Sequence, residues 1–374
     1  MTRLRIGIIT YRLDRQFTGI GRYTVELVKA LSSTDKSVEI ILLCAGRPGE
    51  LEKINSVNWV PIPFCRRYPF LVTLGNLVIP ILAVRHKLDL IYDPNGLAPF
   101  FIVSMFKKSF LTLHDVFPWT APGNNTRLDT LVYRHWLPLI SRRLARIITV
   151  SHFSLNEIST YLKIPKKNIV VIPPGVNPIF SPRPDSEIEN VRDIYNISGN
   201  YILFVGSIEK RKNIQVLLKS CEILWERGER RELVLVGGFA WKHEEILAVL
   251  GMIHQKEKVK ILGYVQNEHL PALYSGADIF VFPSIYEGFG LPLLEAMACG
   301  TPVICGKSTS IPEAVGDAAF FVDTKNPVEL SLGIENLLQD DALREKLKVQ
   351  GLKQAQAFTW EHTAEQILKV FRLS

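Results

Sequence analysis

The chain has 374 residues, 47% apolar and 22% charged, which excludes a disordered polymer and suits two α/β domains better than one core. Its formal charge of +7 is uneven: residues 1–175 hold 23 Lys and Arg against 11 Asp and Glu, whereas residues 176–374 hold 21 against 26. A basic half suits a polyanion such as nucleic acid or an anionic membrane, or else a plain solvated surface. The five cysteines show no metal-ligand spacing and read as buried free thiols of a reducing cytoplasm. The apolar run after Met1 is too short for a signal peptide.

In chain order, Leu4–Tyr11 reads as a strand, followed by Asp14–Thr18 and Gly19-Ile20-Gly21. Ile20, Tyr23, Leu27, Val28 and Leu31 then recur at helical spacing, so strand, glycine loop and helix open a doubly wound domain. Phe70–Val84, between Arg67 and Arg85, is an apolar run of 15 residues containing Gly75, Asn76 and Pro80. A spanning helix needs about 20. This run and Leu97–Phe106, which ends at Lys107 and Lys108, read either as core or as segments that dock on an anionic bilayer. Strands are expected at Val38–Cys44, Leu88–Tyr92, Ser109–Leu113, Arg146–Val150 and Ile169–Ile172. The proline-rich stretch from Pro173, with polar residues to Asn200, reads as a linker. The pattern restarts with strands at Tyr201–Val205, Leu233–Val236, Val259–Leu262, Ile279–Phe282, Thr301–Cys305 and Ala319–Val322. Strands alternating with helices imply a second parallel sheet. Thr359–Leu373 closes the chain as a helix.

The densest chemical signal runs from Pro283 to Pro302. Gly288 and Gly290 allow close backbone approach, Pro292 fits the first turn of a helix, and Gly300 fits its stop. The amides of Phe289, Gly290 and Leu291 then stand at a helix N-terminus, where they suit a phosphate. Glu287 precedes this helix and Glu295 is expected in its first turn, so both carboxylates can serve one ligand or merely complement the helix dipole. After the strand Tyr201–Val205, Gly206 leads to Lys210-Arg211-Lys212, a basic trio able to neutralise a diphosphate in place of a metal ion. No carboxylate cluster reads as a metal site. His114, after Ser109–Leu113, stands where a ligand can be touched, although a lone histidine is more often structural. Gly19-Ile20-Gly21 lacks the third glycine of a dinucleotide fingerprint, which argues against NAD.

These residues resemble glycosyltransferase family 4, retaining enzymes of the GT-B fold. The marks are Gly19–Gly21, His114-Asp115, Ser151-His152-Phe153-Ser154, Gly206 with Arg211-Lys212-Asn213, Gly237-Gly238 with Trp241, Gly263-Tyr264, and Glu287 spaced eight residues from Glu295 within Glu-Gly-Phe-Gly-Leu-Pro. The resemblance implies an α/β chain of two Rossmann-like, doubly wound domains facing across a cleft. Residues 1–175 would bind the acceptor, 176–199 would link the domains, 200–359 would bind the donor, and the helix 360–374 would cross back to the first domain. Arg211 and Lys212 would bind the donor diphosphate with the amides of Phe289, Gly290 and Leu291. Gly19 and Gly21 would admit acceptor or donor phosphate to the first domain's helix and so count among the donor diphosphate residues. Glu295 would accept hydrogen bonds from the ribose, Tyr264 would lie beside the base, and Glu287 and His114 would serve the transferred sugar.

The implied reaction is metal-independent, retaining transfer of a hexose, mannose or similar, from a GDP- or UDP-sugar. The acceptor would be a glycan or lipid-linked oligosaccharide of bacterial surface polysaccharide synthesis. No cofactor and no metal are expected. The implied place is the cytoplasm, with peripheral contact to the inner face of the membrane. Two rivals are a sugar-nucleotide epimerase or phosphorylase of the same fold, and a non-enzymatic nucleotide- or nucleic-acid-binding module. The basic half has no nucleic-acid motif with interleaved aromatics, which counts against the latter. Closure of two such domains about Pro173–Asn200 predicts that saturating donor lowers the radius of gyration in small-angle scattering. An unchanged radius counts against it.

Overall fold

The computed structural model describes residues 3–14, 19–117, 135–240 and 243–374, with the side chains of Tyr68 and Pro69 outside that description. Part of the expected Asp14–Thr18 loop, and Trp241, therefore lie outside the described residues. The chain divides into two units, Met1–Gly175 with Thr359–Ser374, and Val176–Phe358.

The first unit is built on a seven-stranded sheet of order β3-β2-β1-β4-β5-β6-β7. Its strands are β1 Leu4–Tyr11, β2 Val38–Ala45, β3 Val57–Pro61, β4 Leu90–Asp93, β5 Lys108–Leu113, β6 Arg146–Thr149 and β7 Ile169–Val171, and every pairing is parallel. Parallel strands are covered on both faces, so they read as continuous apolar runs. This is why Leu4–Tyr11 and Val38–Cys44 were legible. The strand β3, Val-Asn-Trp-Val-Pro, was not expected: it is an edge strand with Asn58, Trp59 and Pro61 exposed. A proline is tolerated at such an edge.

Helix α1, Gly19–Thr34, packs Tyr23, Leu27, Val28 and Leu31 inward. The C-terminal helix Trp360–Leu373 belongs to the same unit. Thr359 caps it by accepting from the His362 amide. Trp360 meets the Tyr23 ring edge-on at 5.3 Å, and Phe371 meets Tyr92 at 5.2 Å and Phe110 at 4.6 Å. The apolar stretch Phe70–Val84 folds into two short helices, α2 Tyr68–Thr73 and α3 Gly75–Arg85. Buried Asn76 joins them to the next segment: its side-chain amide donates to the Val72 carbonyl and its oxygen accepts from the Phe101 amide at 2.6 Å. Within Leu97–Phe106, Ala98, Phe100 and Val103 are core residues, while Met105 and Phe106 remain exposed.

The second unit holds a six-stranded parallel sheet of order β10-β9-β8-β11-β12-β13. Its strands are β8 Tyr201–Val205, β9 Glu232–Val236, β10 Val259–Gly263, β11 Ile279–Phe282, β12 Val303–Gly306 and β13 Phe320–Val322. Residues 176–199, expected as a linker, are part of this unit and carry the helix Asp185–Ile194. Val191 and Ile197 are buried, and the Arg183 amide donates to Ser275 Oγ at 3.1 Å. Proline content marked the loops here but hid the apolar anchors between them. All five cysteines are free and buried.

Truncating a large buried aromatic side chain costs about 3–5 kcal/mol. Phe371→Ala should therefore lower the urea midpoint of the first unit clearly, while Phe371→Leu should lower it less. Equal midpoints for the parent and both variants would show that the terminal helix does not contribute to that unit.

Candidate nucleotide-sugar site

In an open parallel sheet the crevice forms at the strands' carboxyl ends, where the strand order reverses. In the second unit that reversal lies between β8 and β11. The two strongest chemical segments of the sequence follow these two strands. After β8, Gly206 leads to a single tight turn Lys210–Lys212, and Asn213, at φ 57°, starts the helix Ile214–Glu226. The Asn213 side-chain amide donates to the Thr324 carbonyl at 2.6 Å and fixes this start. Gly237, after β9, is required by contact: a Cβ there would lie 1.9 Å from the Gly206 carbonyl oxygen.

After β11, residues 283–290 form a loop that ends in Gly290 at φ 111°, the N-cap of the helix Leu291–Ala298. A Cβ at Gly290 would stand 2.8 Å from Leu293 and in a backbone region disfavoured for other residues. The amides of Phe289, Gly290 and Leu291 thus precede or open a helix, as the sequence led us to expect. Glu295 is the fifth helical residue and not in the first turn, because the helix begins at Leu291. It is buried and accepts from the Tyr274 hydroxyl at 2.9 Å. Tyr264 follows β10 and is 51% exposed, open for stacking.

Arg211 and Lys212 meet Glu287 directly. Lys212 Nζ donates to Glu287 Oε1 at 2.6 Å, and Arg211 Nη1 donates to Oε2 at 3.0 Å. Ser284 Oγ also donates to Oε1 at 2.6 Å, and Arg211 reaches the Tyr286 carbonyl at 2.9 Å. Lys212 and Glu287 are both buried. Burial by itself would raise the Glu287 carboxyl, but Lys212 and Arg211 outweigh it and hold it below the usual carboxylate range. Burial pushes the Lys212 ammonium down, against the pull of Glu287. The third member of the expected trio is separate: Lys210 turns away to pair with Glu245 at 3.0 Å.

A segment not singled out in the sequence holds this loop. Thr309 Oγ1 accepts from the Glu287 amide at 3.1 Å, and Ser310 Oγ donates to the carbonyls of Glu287 at 2.8 Å and Phe289 at 3.2 Å. Ser308 Oγ donates to the Ser284 carbonyl at 3.1 Å. Thr309 sits at φ 51°, a rare conformation for a β-branched residue that surrounding contacts must hold. The run Lys307-Ser308-Thr309-Ser310 after an apolar strand was the available signal.

In the first unit the strand order reverses between β1 and β4. Gly19 and Gly21 follow β1, Gly19 with open space where a Cβ would stand and Gly21 buried. At the end of β4, buried Asp93 accepts from the amides of Asn95, Leu97 and Ala98, each at 2.8 Å. Asn95 donates across to the Ile9 carbonyl at 2.8 Å. His114 Nε2 lies 2.9 Å from the Pro94 carbonyl, so that nitrogen carries the proton, and the Tyr23 ring meets the imidazole edge-on at 4.7 Å. Burial lowers the His114 pKa, with Pro94 and Asp115 opposing, so the ring is neutral at pH 7. Ser154 Oγ donates to the His114 carbonyl at 3.0 Å. The Asp93–Asn95 turn was missed, although Asp-Pro-Asn-Gly is a turn signal.

Among the described residues, Glu222, Glu226 and His254 could together hold an ion, but Glu222 and Glu226 stand at the far end of the helix that Lys212 precedes. Removing one partner of a buried ion pair costs about 3–5 kcal/mol. Glu287→Gln should destabilise the second unit by about that amount near pH 7. Because the Glu287 carboxyl is depressed, its contribution is complete above the unfolded carboxylate value and fades as pH falls through the lower folded one. Denaturant midpoints of parent and variant should therefore converge below about pH 4. A gap that stays constant down to pH 2.5 would contradict the ion-pair account.

The comparisons agree with this architecture. The model of Glycosyl transferases group 1 matches residues 187–354, and that of Glycosyltransferase Family 4 matches residues 17–180. An O-antigen chain mannosyltransferase B of Escherichia coli is 34% identical, over 99% of this chain and 100% of that protein. The serotype-specific mannosyltransferase WbdA of Escherichia coli is 29% identical over 60% of this chain, which is 28% of that longer protein. Among solved structures, a glycosyltransferase from Rickettsia africae aligns with a TM-score of 0.78 at 18% identity, covering 100% of this chain and 98% of its own. HepE of Anabaena in complex with UDP and glucose aligns with a TM-score of 0.77 at 19% identity, covering 99% of this chain and 100% of its own. The fold is GT-B, and the chain belongs to glycosyltransferase family 4 and is a glycosyltransferase.

Proposed function

We propose that this glycosyltransferase moves mannose, with retention and without a metal ion, from a nucleotide diphosphate donor to a growing glycan or lipid-linked oligosaccharide of a surface polysaccharide. The observation that carries the reading is the cluster of buried Lys212 and Glu287 with half-buried Arg211 beside the helix N-terminus at Leu291. Two fixed cations and a set of helix amides meet the charge that develops on a departing nucleoside diphosphate. In the free protein Glu287 neutralises both cations. In the complex the diphosphate takes over part of that role and leaves Glu287 to accept hydrogen bonds from the sugar.

Glu295 serves the ribose, and Tyr264 the base. Such a role requires Glu295 to exchange or share its bond with Tyr274. The corresponding switch point of the first unit offers Gly19 and Gly21 to a phosphate and neutral His114 to the transferred sugar, in the unit that takes the acceptor. No protein nucleophile is required if a phosphate oxygen of the leaving group takes the acceptor proton on the face from which it departs. Mannose is supported by the full-length likeness to an O-antigen chain mannosyltransferase. UDP-complexed HepE supports a nucleoside diphosphate donor of the same general kind.

The test is release of nucleoside diphosphate from GDP-mannose and UDP-hexoses, with a mannose-terminated oligosaccharide acceptor. Turnover is expected with GDP-mannose, unchanged by EDTA, giving an α-linked product. Lys212→Ala and Arg211→Ala should each reduce kcat about 100-fold or more. Inversion at the anomeric carbon, loss of turnover in EDTA, or variants with parental kcat would each refute the part of the reading they address.

A further inference from the structure

Helices α2 and α3 carry an uncovered apolar face. Phe70, Leu74, Leu77, Ile81 and Val84 are 45%, 40%, 57%, 66% and 65% exposed. Their spacing alternates four and three residues, the period of one helix face. The opposite positions, Leu71, Gly75, Ile79, Leu82 and Ala83, are buried against the first unit's sheet. Scattered exposed apolar residues are ordinary, but five in one stripe on consecutive helices are not. Met105 and Phe106, 68% and 48% exposed, lie on the segment that Asn76 ties to α3.

The charge around this stripe is predominantly basic. From Lys53 to His114 the chain holds seven Lys and Arg but only two acidic residues, Asp89 and Asp93. Asp93 is fully buried and its oxygens are taken by backbone amides. Asp89 accepts from the Arg5 amide at 2.8 Å. Arg67 stands at the N-cap of α2, Arg85 ends α3, and Lys87 follows it, all exposed and in no ion pair among the described residues. The stripe is thus bracketed by uncompensated cations at both ends.

We propose that α2 and α3 lie on an anionic lipid bilayer, with the stripe entering the acyl boundary and Arg67, Arg85 and Lys87 meeting lipid phosphates. An amphipathic face with low polarity and cationic margins binds in the interface plane without spanning it. Among the described residues no helix is long and apolar enough to cross a membrane. Pro80 within α3 falls on the buried side and leaves the lipid-facing stripe unbroken. For its purpose the inference rests on the lipid-linked form of the acceptor proposed above, and docking would concentrate the enzyme where such acceptors lie. Its geometry is independent of that reading.

The experiment is vesicle flotation of the full chain with neutral phosphatidylcholine alone and with 30% phosphatidylglycerol added, at low and high salt, beside sedimentation velocity without lipid. The parent should float with the anionic vesicles, and less as salt rises. Leu77→Glu with Ile81→Glu should lower the bound fraction at least tenfold. Arg85→Glu should lower it about threefold and lessen its salt dependence. Parental circular dichroism and an unchanged nucleotide-induced thermal shift verify that the variants are folded and keep the donor site. Failure of the parent to float at low salt, or undiminished binding by the double variant, overturns the proposal. A parent that sediments as a dimer, becomes monomeric with the double substitution and does not float would assign the stripe to a second copy. Because nucleotide binding is read separately, a failed transferase reading and a failed docking proposal give different results.

Discussion

A parallel sheet sends all its strands' carboxyl ends to one edge, and the place where the strand order reverses leaves two loops diverging. In the second unit those loops follow β8 and β11. The first brings Arg211 and Lys212, and the second brings Glu287. Two cations, each 75 residues or more from the carboxylate in the chain, join it in one largely buried cluster with contacts of 2.6–3.0 Å. Burying these charges is tolerable only because they compensate one another and because Ser284, Tyr286 and Glu209 occupy the remaining bonds. The rest of the site follows from keeping this cluster in place: glycines where backbones nearly touch, and a serine–threonine segment after β12 that clamps the loop.

The first unit repeats the topology with different chemistry. Among the described residues, no buried ion pair is seen at its switch point. A turn organised by Asp93 presents the Pro94 carbonyl, which sets the tautomer and orientation of His114. The imidazole is neutral and packed by Tyr23, which also meets Trp360 of the terminal helix edge-on. A hydrogen-bonding group suits sugar hydroxyls, whereas the fixed cations of the second unit suit phosphates. The difference between two similar sheets thus lies in loops, where function on a shared fold is carried.

Much of the fold was legible because strands covered on both faces must be apolar throughout. Twelve of the thirteen strands among the described residues correspond to such runs, with ends shifted by a residue or two. The exception, β3, is an edge strand with a single buried residue, Val57, and with Asn58, Trp59 and Pro61 exposed, so it shows no apolar run. The 176–199 segment misled for the converse reason: its prolines and charges advertise loop, while the few apolar residues that anchor it are dispersed. In the candidate site, Glu287, Arg211 and Lys212 stood out in the sequence because glycine and proline placement around them signals a ligand loop, and the structure brings the three together. Ser310 and Thr309 were not, since short hydroxyl side chains look alike on a surface and in a clamp.

What the sequence by itself determined is local: the apolar runs that become strands, the turn residues that cap helices, and the charged groups the site would use. Tertiary structure alone decided which of those charges meet. Lys210 and Lys212 are two residues apart and chemically alike, yet one pairs with exposed Glu245 and the other with buried Glu287, because a single tight turn sends them in opposite directions. It also decided the fate of Phe70–Val84. That run has no polar face to show which side is covered, so only packing could reveal that one side is core and the other is left to the surroundings.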